Sequence, residues 1–254
     1  MVRLSLRKVS ALPNDRVNRL LRPTEVLDRC KPWAGKRAVP SVEPIDPVLD
    51  LALAWQPSKG RSAFATLLEF DARLGSVLVR AREPMLAQLR FAWWRDRLGE
   101  PVSQRPTGET MLARLTQDWE GSEAVLTALV DGWEELIGEA PLPAEAINRF
   151  AGARGAALGE FASRSGQAES RDSVEAAGRR WALADFALRT SNSNEQETAL
   201  SIARAMKPAS KLPRAVRGIA VLSALADRAI RSGEPLGSGR GAALTALRVG
   251  LIGR

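Results

Sequence analysis

Histidine and tyrosine are missing from this chain of 254 residues, and cysteine occurs once, at Cys30. Without histidine there is no Ser-His-Asp or Cys-His arrangement to activate a nucleophile, and a Cys/His zinc site has no ligands. A lone cysteine closes no disulfide within the chain. The chemistry left open uses carboxylates, Lys/Arg, or Mg²⁺ on the hard carboxylate oxygens it prefers. Long apolar runs are absent too: no stretch of about 18 apolar residues occurs, so the sequence predicts no membrane span. The opening run MVRLSLRKVSALPNDRVNRLLRP is basic but has no apolar centre of secretory length, and Asp15, Glu25 and Asp28 count against a transit peptide. Residues 1–44 therefore read as a basic, poorly ordered extension ahead of a domain spanning 45–254.

Acidic residues are scarce only at the ends. Residues 1–40 hold ten Lys/Arg against three Asp/Glu, residues 41–200 hold seventeen against twenty-four, and residues 201–254 hold ten against two. The net charge of +8 thus hides an acidic middle between two basic ends. That distribution suits contact with acidic lipid or an acidic partner better than a groove that follows phosphates, and no Tyr/Phe platform accompanies the arginines, so nucleic acid is disfavoured. The C-terminal set Arg214, Arg217, Arg228 and Arg231 reads as solvated or as a contact for lipid headgroups or acidic protein. The expected location is cytoplasmic, with peripheral membrane association through the basic ends.

From Pro44 onward the pattern is helix after helix, with no alternating strand-like runs. Pro47 opens a first helix that runs to Trp55. In RSAFATLLEFDARLGSVLVRA, residues Phe64, Leu67, Leu68, Leu74 and Leu78 fall on one stripe. Glu83-Pro84 restarts the chain, since proline at the first helical position loses no needed hydrogen bond. Helices follow near 109–119, 123–137 and 143–165. Asp172 with Glu175 and Ser193 with Gln196 read as capping boxes opening two more. Val216, Ile219, Ser223, Ala226 and Ile230 share a face that ends at Gly233, and Leu244, Leu247 and Leu251 recur at helical spacing in a last segment. The expectation is an all-α fold, a single domain of about ten helices.

The segment REPMLAQLRFAWWRDRL carries apolar residues on two sides. Leu86, Leu89 and Trp93 form one stripe, and Ala87, Phe91, Trp94 and Leu98 form another nearly opposite. This predicts a central helix with both tryptophans in the core, and Arg90 and Arg95 paired with carboxylates or helix ends. Asp131, Glu134 and Glu135 share a face in DGWEEL that suits either water or Mg²⁺. Glu69 and Asp71 adjoin the apolar stripe and read as structural ion-pair partners for Arg95 or Arg90, ahead of a catalytic role. Asp185, on the face of Trp181 and Leu188, is equally open.

Glu83, Pro84 and the run Arg90-Phe91-Ala92-Trp93-Trp94-Arg95 resemble the squalene/phytoene synthase family, in which an EP or DP step leads into a helix ending R-L-x-W-W-R. Leu67-Leu68-Glu69-Phe70 is similar to the lead-in of that family, and weaker similarity extends through RFAGARGAALGEFASRSG and KLPRAVRGIAVLSALA, over about residues 47–235. The resemblance implies an isoprenoid-synthase-like helical bundle around an apolar cavity. In active members, Mg²⁺ held by two aspartate-rich motifs on facing helices neutralises a leaving diphosphate while two prenyl diphosphates join head to head.

Those carboxylates are missing here. Counted back from the Trp-Trp-Arg run, the first motif falls on Gly75, Ser76 and Val79; aligned on Leu188-Arg189, the second falls on Thr190, Ser193 and Asn194, with Phe186 in place of its asparagine. The resemblance thus implies a catalytically degenerate member with no catalytic, cofactor or metal residues of its own, similar to the branch of the mitochondrial complex I assembly factor. The implied role is binding or assembly, with another protein or an apolar lipid or isoprenoid as partner and respiratory-chain assembly as a suggestion. The alternative is an active prenyltransferase using Mg²⁺ on unconventional carboxylates.

Overall fold

A computed structural model describes residues 46–253, apart from 82, 209–210 and 238. The expected extension over residues 1–44, Cys30 included, lies outside the described residues. The described part is all-helical, with ten α-helices and no strand among the described residues. They are α1 Pro47–Trp55, α2 Arg61–Arg80, α3 Pro84–Gly99, α4 Thr110–Trp119, α5 Glu123–Glu134, α6 Ala144–Arg164, α7 Arg171–Arg189, α8 Ser193–Ala205, α9 Arg217–Ser232 and α10 Gly239–Ile252. No helix among the described residues is long and apolar enough to cross a membrane.

Local chemistry sets most boundaries. Asp46 caps α1, its Oδ1 accepting from the Val48 amide at 2.9 Å, and Pro47 takes the first position, where no N–H is needed. Gly233, at φ 70°, ends α9 in the left-handed conformation that glycine adopts without steric cost. Neither expected capping box forms. The α8 cap is Asn192, one residue before Ser193, and its Oδ1 accepts from the amides of Asn194 and Glu195. A short 3₁₀ turn over Ala168–Ser170 leads into α7, so the helix begins at Arg171 and Asp172 already lies inside it.

The centre of the bundle is the antiparallel pair α6 and α7, which approach closely through glycines. A methyl group added at Gly155 would sit 2.7 Å from the Glu175 carbonyl oxygen of α7, and one at Gly178 would sit 2.7 Å from Leu158. Close backbone approach leaves no room for side chains between the helices, so their larger residues flank the contact. Buried α2 residues Phe64, Leu67, Leu68 and Leu74 pack against this centre as their stripe predicts. The face of Ile219, Ser223, Ala226 and Ile230 on α9, together with Val216 just before it, is buried as well.

One expectation about an apolar face is overturned. Helix α3 is not central: Ala87, Phe91, Trp94 and Leu98 are buried, but Leu86 and Leu89 are exposed and Trp93 is 37% exposed. It lies at the surface over α5, so one apolar stripe meets the core and the other meets solvent. Trp94 joins the core edge-on to Phe70 at 5.1 Å, whereas Trp93 covers it from outside at 4.9 Å. Helix α10 likewise turns Ala242, Ala246 and Val249 inward and leaves Leu244, Leu247 and Leu251 outside. Small residues decide this: a methyl group on Gly250 would lie 2.2 Å from the Trp55 ring of α1, so only the Ala/Gly face approaches that closely.

The glycine packing is testable on one helix. Gly152, with nothing within 4 Å of an added methyl, should gain about 1 kcal/mol as Gly152→Ala from helix propensity alone. Gly155→Ala, which must push the α7 backbone away, should lose about 1–3 kcal/mol, so the two variants shift the thermal midpoint in opposite directions.

Candidate functional site

The apolar stripes of α2, α6 and α7 each contain one charged residue at a position the helical period assigns to the core. On α2, Asp71 follows Phe64, Leu67 and Leu68 at the same spacing. On α6, Arg154 falls in line with Ile147, Phe150, Ala151, Leu158 and Phe161. On α7, Asp185 falls in line with Val174, Trp181 and Ala182. All three are buried, at 5%, 4% and 7% exposure. Isolated charges there would cost several kcal/mol each, so the fold brings them together.

Arg154 lies between the two carboxylates. Its Nη2 donates to Asp71 Oδ2 at 2.6 Å, its Nε donates to both Asp71 oxygens at 3.1 Å, and its Nη1 donates to Asp185 Oδ2 at 2.9 Å. The planar guanidinium suits this two-sided, partly bidentate grip in a way a lysine ammonium would not. Its flat face stacks on the Trp181 ring at 4.0 Å, with the Phe150 and Trp133 rings at 5.3 and 5.5 Å. The remaining acceptors are taken from outside: Trp133 Nε1 donates to Asp71 Oδ1 at 2.8 Å, and Arg189 Nε donates to Asp185 Oδ1 at 2.7 Å. Arg189 then reaches Asp46 at 2.6 Å, which links the chain of charges to the cap of α1.

Burial by itself would push the Asp185 carboxyl up, but Arg189 and Arg154 outweigh it and hold it below the ordinary carboxylate range. Burial also opposes the charge on Arg154, and the carboxylates of Asp71 and Asp185 overcome that and strengthen its hold on the proton. Arg189 is raised as well, chiefly by Asp185. Asp185, Arg154 and Arg189 are thus each held in the charged form by their partners.

Little space remains beside the cluster. A void of about 10 Å³, lined in part by Leu67, Leu68, Leu129, Leu158 and Trp181, has room for at most one water. The rings that fill the centre are Trp181, Phe150 and Trp133, not Trp93 and Trp94 of α3.

The motif positions lie around this cluster without forming a site. Gly75 is one turn beyond Asp71, and a Cβ there would come within 2.9 Å of Trp133 Cη2, so the ring of α5 holds the space an aspartate would need. Ser76 turns its hydroxyl back to the Arg73 carbonyl at 2.7 Å, and Val79 is exposed. Thr190 ends α7, buried, with its Oγ1 donating to Glu195 Oε2 at 2.5 Å. Ser193 and Asn194 are exposed at the start of α8. Glu195, the one carboxylate next to the second motif, also accepts from the Leu142 amide at 2.9 Å and so ties α8 to the loop before α6.

The other carboxylates singled out from sequence are held in ion pairs, with partners the sequence did not indicate. Glu69 pairs with Arg114 rather than with Arg90 or Arg95. Arg95 bridges Asp131 and Glu134, and Glu135 pairs with Arg149 at 2.7 Å. Arg90 is exposed at the surface of α3, and Glu83 and Pro84 are exposed at its start. Of the C-terminal set, Arg217 donates to the Val249 carbonyl at 3.0 Å and Arg228 pairs with Glu234, while Arg214 and Arg231 are exposed. Among the described residues no group of three or more Asp, Glu, Cys or His side chains is gathered to hold a metal ion.

The chain matches no protein-family model, no curated protein and no solved structure with which it was compared. Mg²⁺ does not fit the residues present. Asp71 and Asp185 are occupied by guanidinium and indole donors, Glu195 by the Thr190 hydroxyl and the Leu142 amide, and the space at Gly75 is covered by Trp133.

Arg154 was missed from the sequence, although its place on an otherwise Ala/Gly/aromatic stripe was the available signal. Arg154→Met should leave two buried carboxylates facing each other and cost about 3–5 kcal/mol in denaturant unfolding. The pH dependence follows from Asp185: its carboxyl is lower in the folded state, so its contribution is complete above the unfolded value of about 3.9 and is lost as pH falls below it. The stability gap between wild type and Asp185→Asn should therefore stay constant from about pH 7 to pH 5 and narrow below about pH 4.

Proposed function

We propose that this chain is a catalytically silent, squalene/phytoene-synthase-like helical protein that works by binding, as an assembly factor for other proteins. The observation that carries this reading is the place of Arg154. Where metal-diphosphate chemistry would need two open nests of carboxylates, a permanent cation of the chain itself joins one carboxylate from α2 to one from α7. The function then follows from electrostatics. A leaving diphosphate carries several negative charges, and its departure requires positive charge that is free to receive it. The positive charge of Arg154 is already neutralised and sealed beneath aromatic rings, and the void beside it admits no prenyl chain.

Binding needs exposed apolar surface, and the outer stripe of α3 supplies it in Met85, Leu86, Leu89 and Trp93. The resemblance to the complex I assembly factor branch suggests respiratory-chain assembly as the setting and a protein as the partner. The competing reading, head-to-head joining of two prenyl diphosphates, would need Asp71 or Asp131 free. Asp71 is closed in by Arg154 and Trp133, and Asp131, exposed at the surface, is held in an ion pair with Arg95.

The decisive assay incubates the purified protein with farnesyl or geranylgeranyl diphosphate and Mg²⁺ and follows pyrophosphate. No release above the protein-free control is expected. Turnover that disappears in Asp71→Asn or Asp131→Asn would overturn the reading.

A further inference from the structure

Helix α10 is built with its size gradient reversed. Its inner face is Ala242, Ala246 and Val249, with Gly250 beneath the Trp55 ring, while its bulkiest side chains point away from the protein. Leu244, Leu247, Leu251 and Ile252 are 64%, 48%, 66% and 60% exposed. Single exposed leucines are ordinary, but Arg240, Leu244, Leu247 and Leu251 recur at the spacing that places them on one outward line, with Arg248 beside it. An exposed leucine ridge of this kind marks a surface that something else covers.

Charge selects what covers it. Helix α10 contains no acidic residue, and residues 201–254 contain only Asp227 and Glu234. Both are spent in ion pairs, Asp227 with Arg180 and Glu234 with Arg228. Arg214 and Lys211 are exposed just before α9, and Arg217 of α9 holds the C-terminal end of α10. On the other neighbouring helix, α1, the one exposed carboxylate is Asp50.

A second copy of the chain laid on this ridge would set Arg240 and Arg248 against the same residues of its twin. The chain's own residues 1–40, with ten Lys/Arg against three Asp/Glu, carry the same sign and would be repelled. A convex row of leucines flanked by arginines is instead matched by the surface of an anionic bilayer. There the leucines enter the acyl boundary and the arginine heads remain at the phosphates.

We propose that α10 is a membrane-surface helix that seats this protein on anionic phospholipid through Leu244, Leu247 and Leu251, with Arg240 and Arg248 at the headgroups. The proposal does not depend on whether the protein is catalytic. It is tested by co-sedimentation of the full chain with vesicles of phosphatidylcholine alone and with roughly one-third phosphatidylglycerol, at about 0.1 M and about 1 M salt. Partitioning to the anionic vesicles, weakened by salt, is expected.

The combined Leu244→Ser, Leu247→Ser and Leu251→Ser variant should lose at least about tenfold in partitioning. Its fold is checked by circular dichroism, and all three sites are solvent-exposed. Arg240→Gln with Arg248→Gln, which leaves the packing face untouched, should lose about fivefold per arginine at the lower salt. Three outcomes would overturn the proposal. The wild type fails to sediment with anionic vesicles; both variants sediment as it does, which assigns the binding to other basic residues; or light scattering shows a dimer that the leucine variant dissociates, which assigns the ridge to a second copy.

Discussion

The interior of this protein is organised around one unavoidable electrostatic requirement. A guanidinium placed on the buried stripe of α6 must be neutralised, and only buried carboxylates on the facing stripes of α2 and α7 can do it. Because both acids are shared with further donors, the arrangement is a chain of alternating charge from Asp71 through Arg154, Asp185 and Arg189 to Asp46, with the Trp133 indole N–H donating to Asp71. Each link fixes the rotamer of the next, so the registers of α2, α6 and α7 are set against each other by side-chain geometry as well as by apolar burial. Desolvation of the three buried charges cancels much of their Coulomb attraction.

The same cluster limits what the bundle can do. Its charges are paired internally, Trp181 stacks on the guanidinium, and the void beside it has room for at most one water. The glycines that draw α6 and α7 together act in the same direction, because backbones this close leave no pit between them. Two helices, α3 and α10, carry apolar stripes on the solvent side that the core does not use.

Much of the fold was legible in the sequence. Helix positions followed from the spacing of apolar residues and from Pro47, Pro84 and Gly233, whose backbone constraints act locally and so appear in local text. The capping boxes failed by a residue or two because Asn192 and a 3₁₀ turn offered equivalent hydrogen bonds earlier in the chain. The candidate site was half legible. The sequence places Asp71 beside an apolar stripe with Arg90 or Arg95 as its expected partner and leaves Asp185 open; both instead meet Arg154. That partner was not legible, because Arg154 is 83 residues from Asp71 and 31 from Asp185, and no local pattern encodes a meeting at that separation.

What the sequence determined by itself was the helical class, the exclusion of histidine-dependent nucleophile and zinc chemistry, the absence of carboxylates at Gly75, Ser76, Val79, Thr190, Ser193 and Asn194, and the segregation of charge. All of these depend on residue identity or on neighbours within a few turns. Tertiary structure alone decided which of two apolar stripes on α3 faces the core, that α10 turns its leucines outward, and that Arg154 stands between Asp71 and Asp185. The physical reason is common to the three. A helix with two usable faces is oriented by how closely its neighbours can approach, and closeness is set by glycines, alanines and rings on other helices far away in the chain.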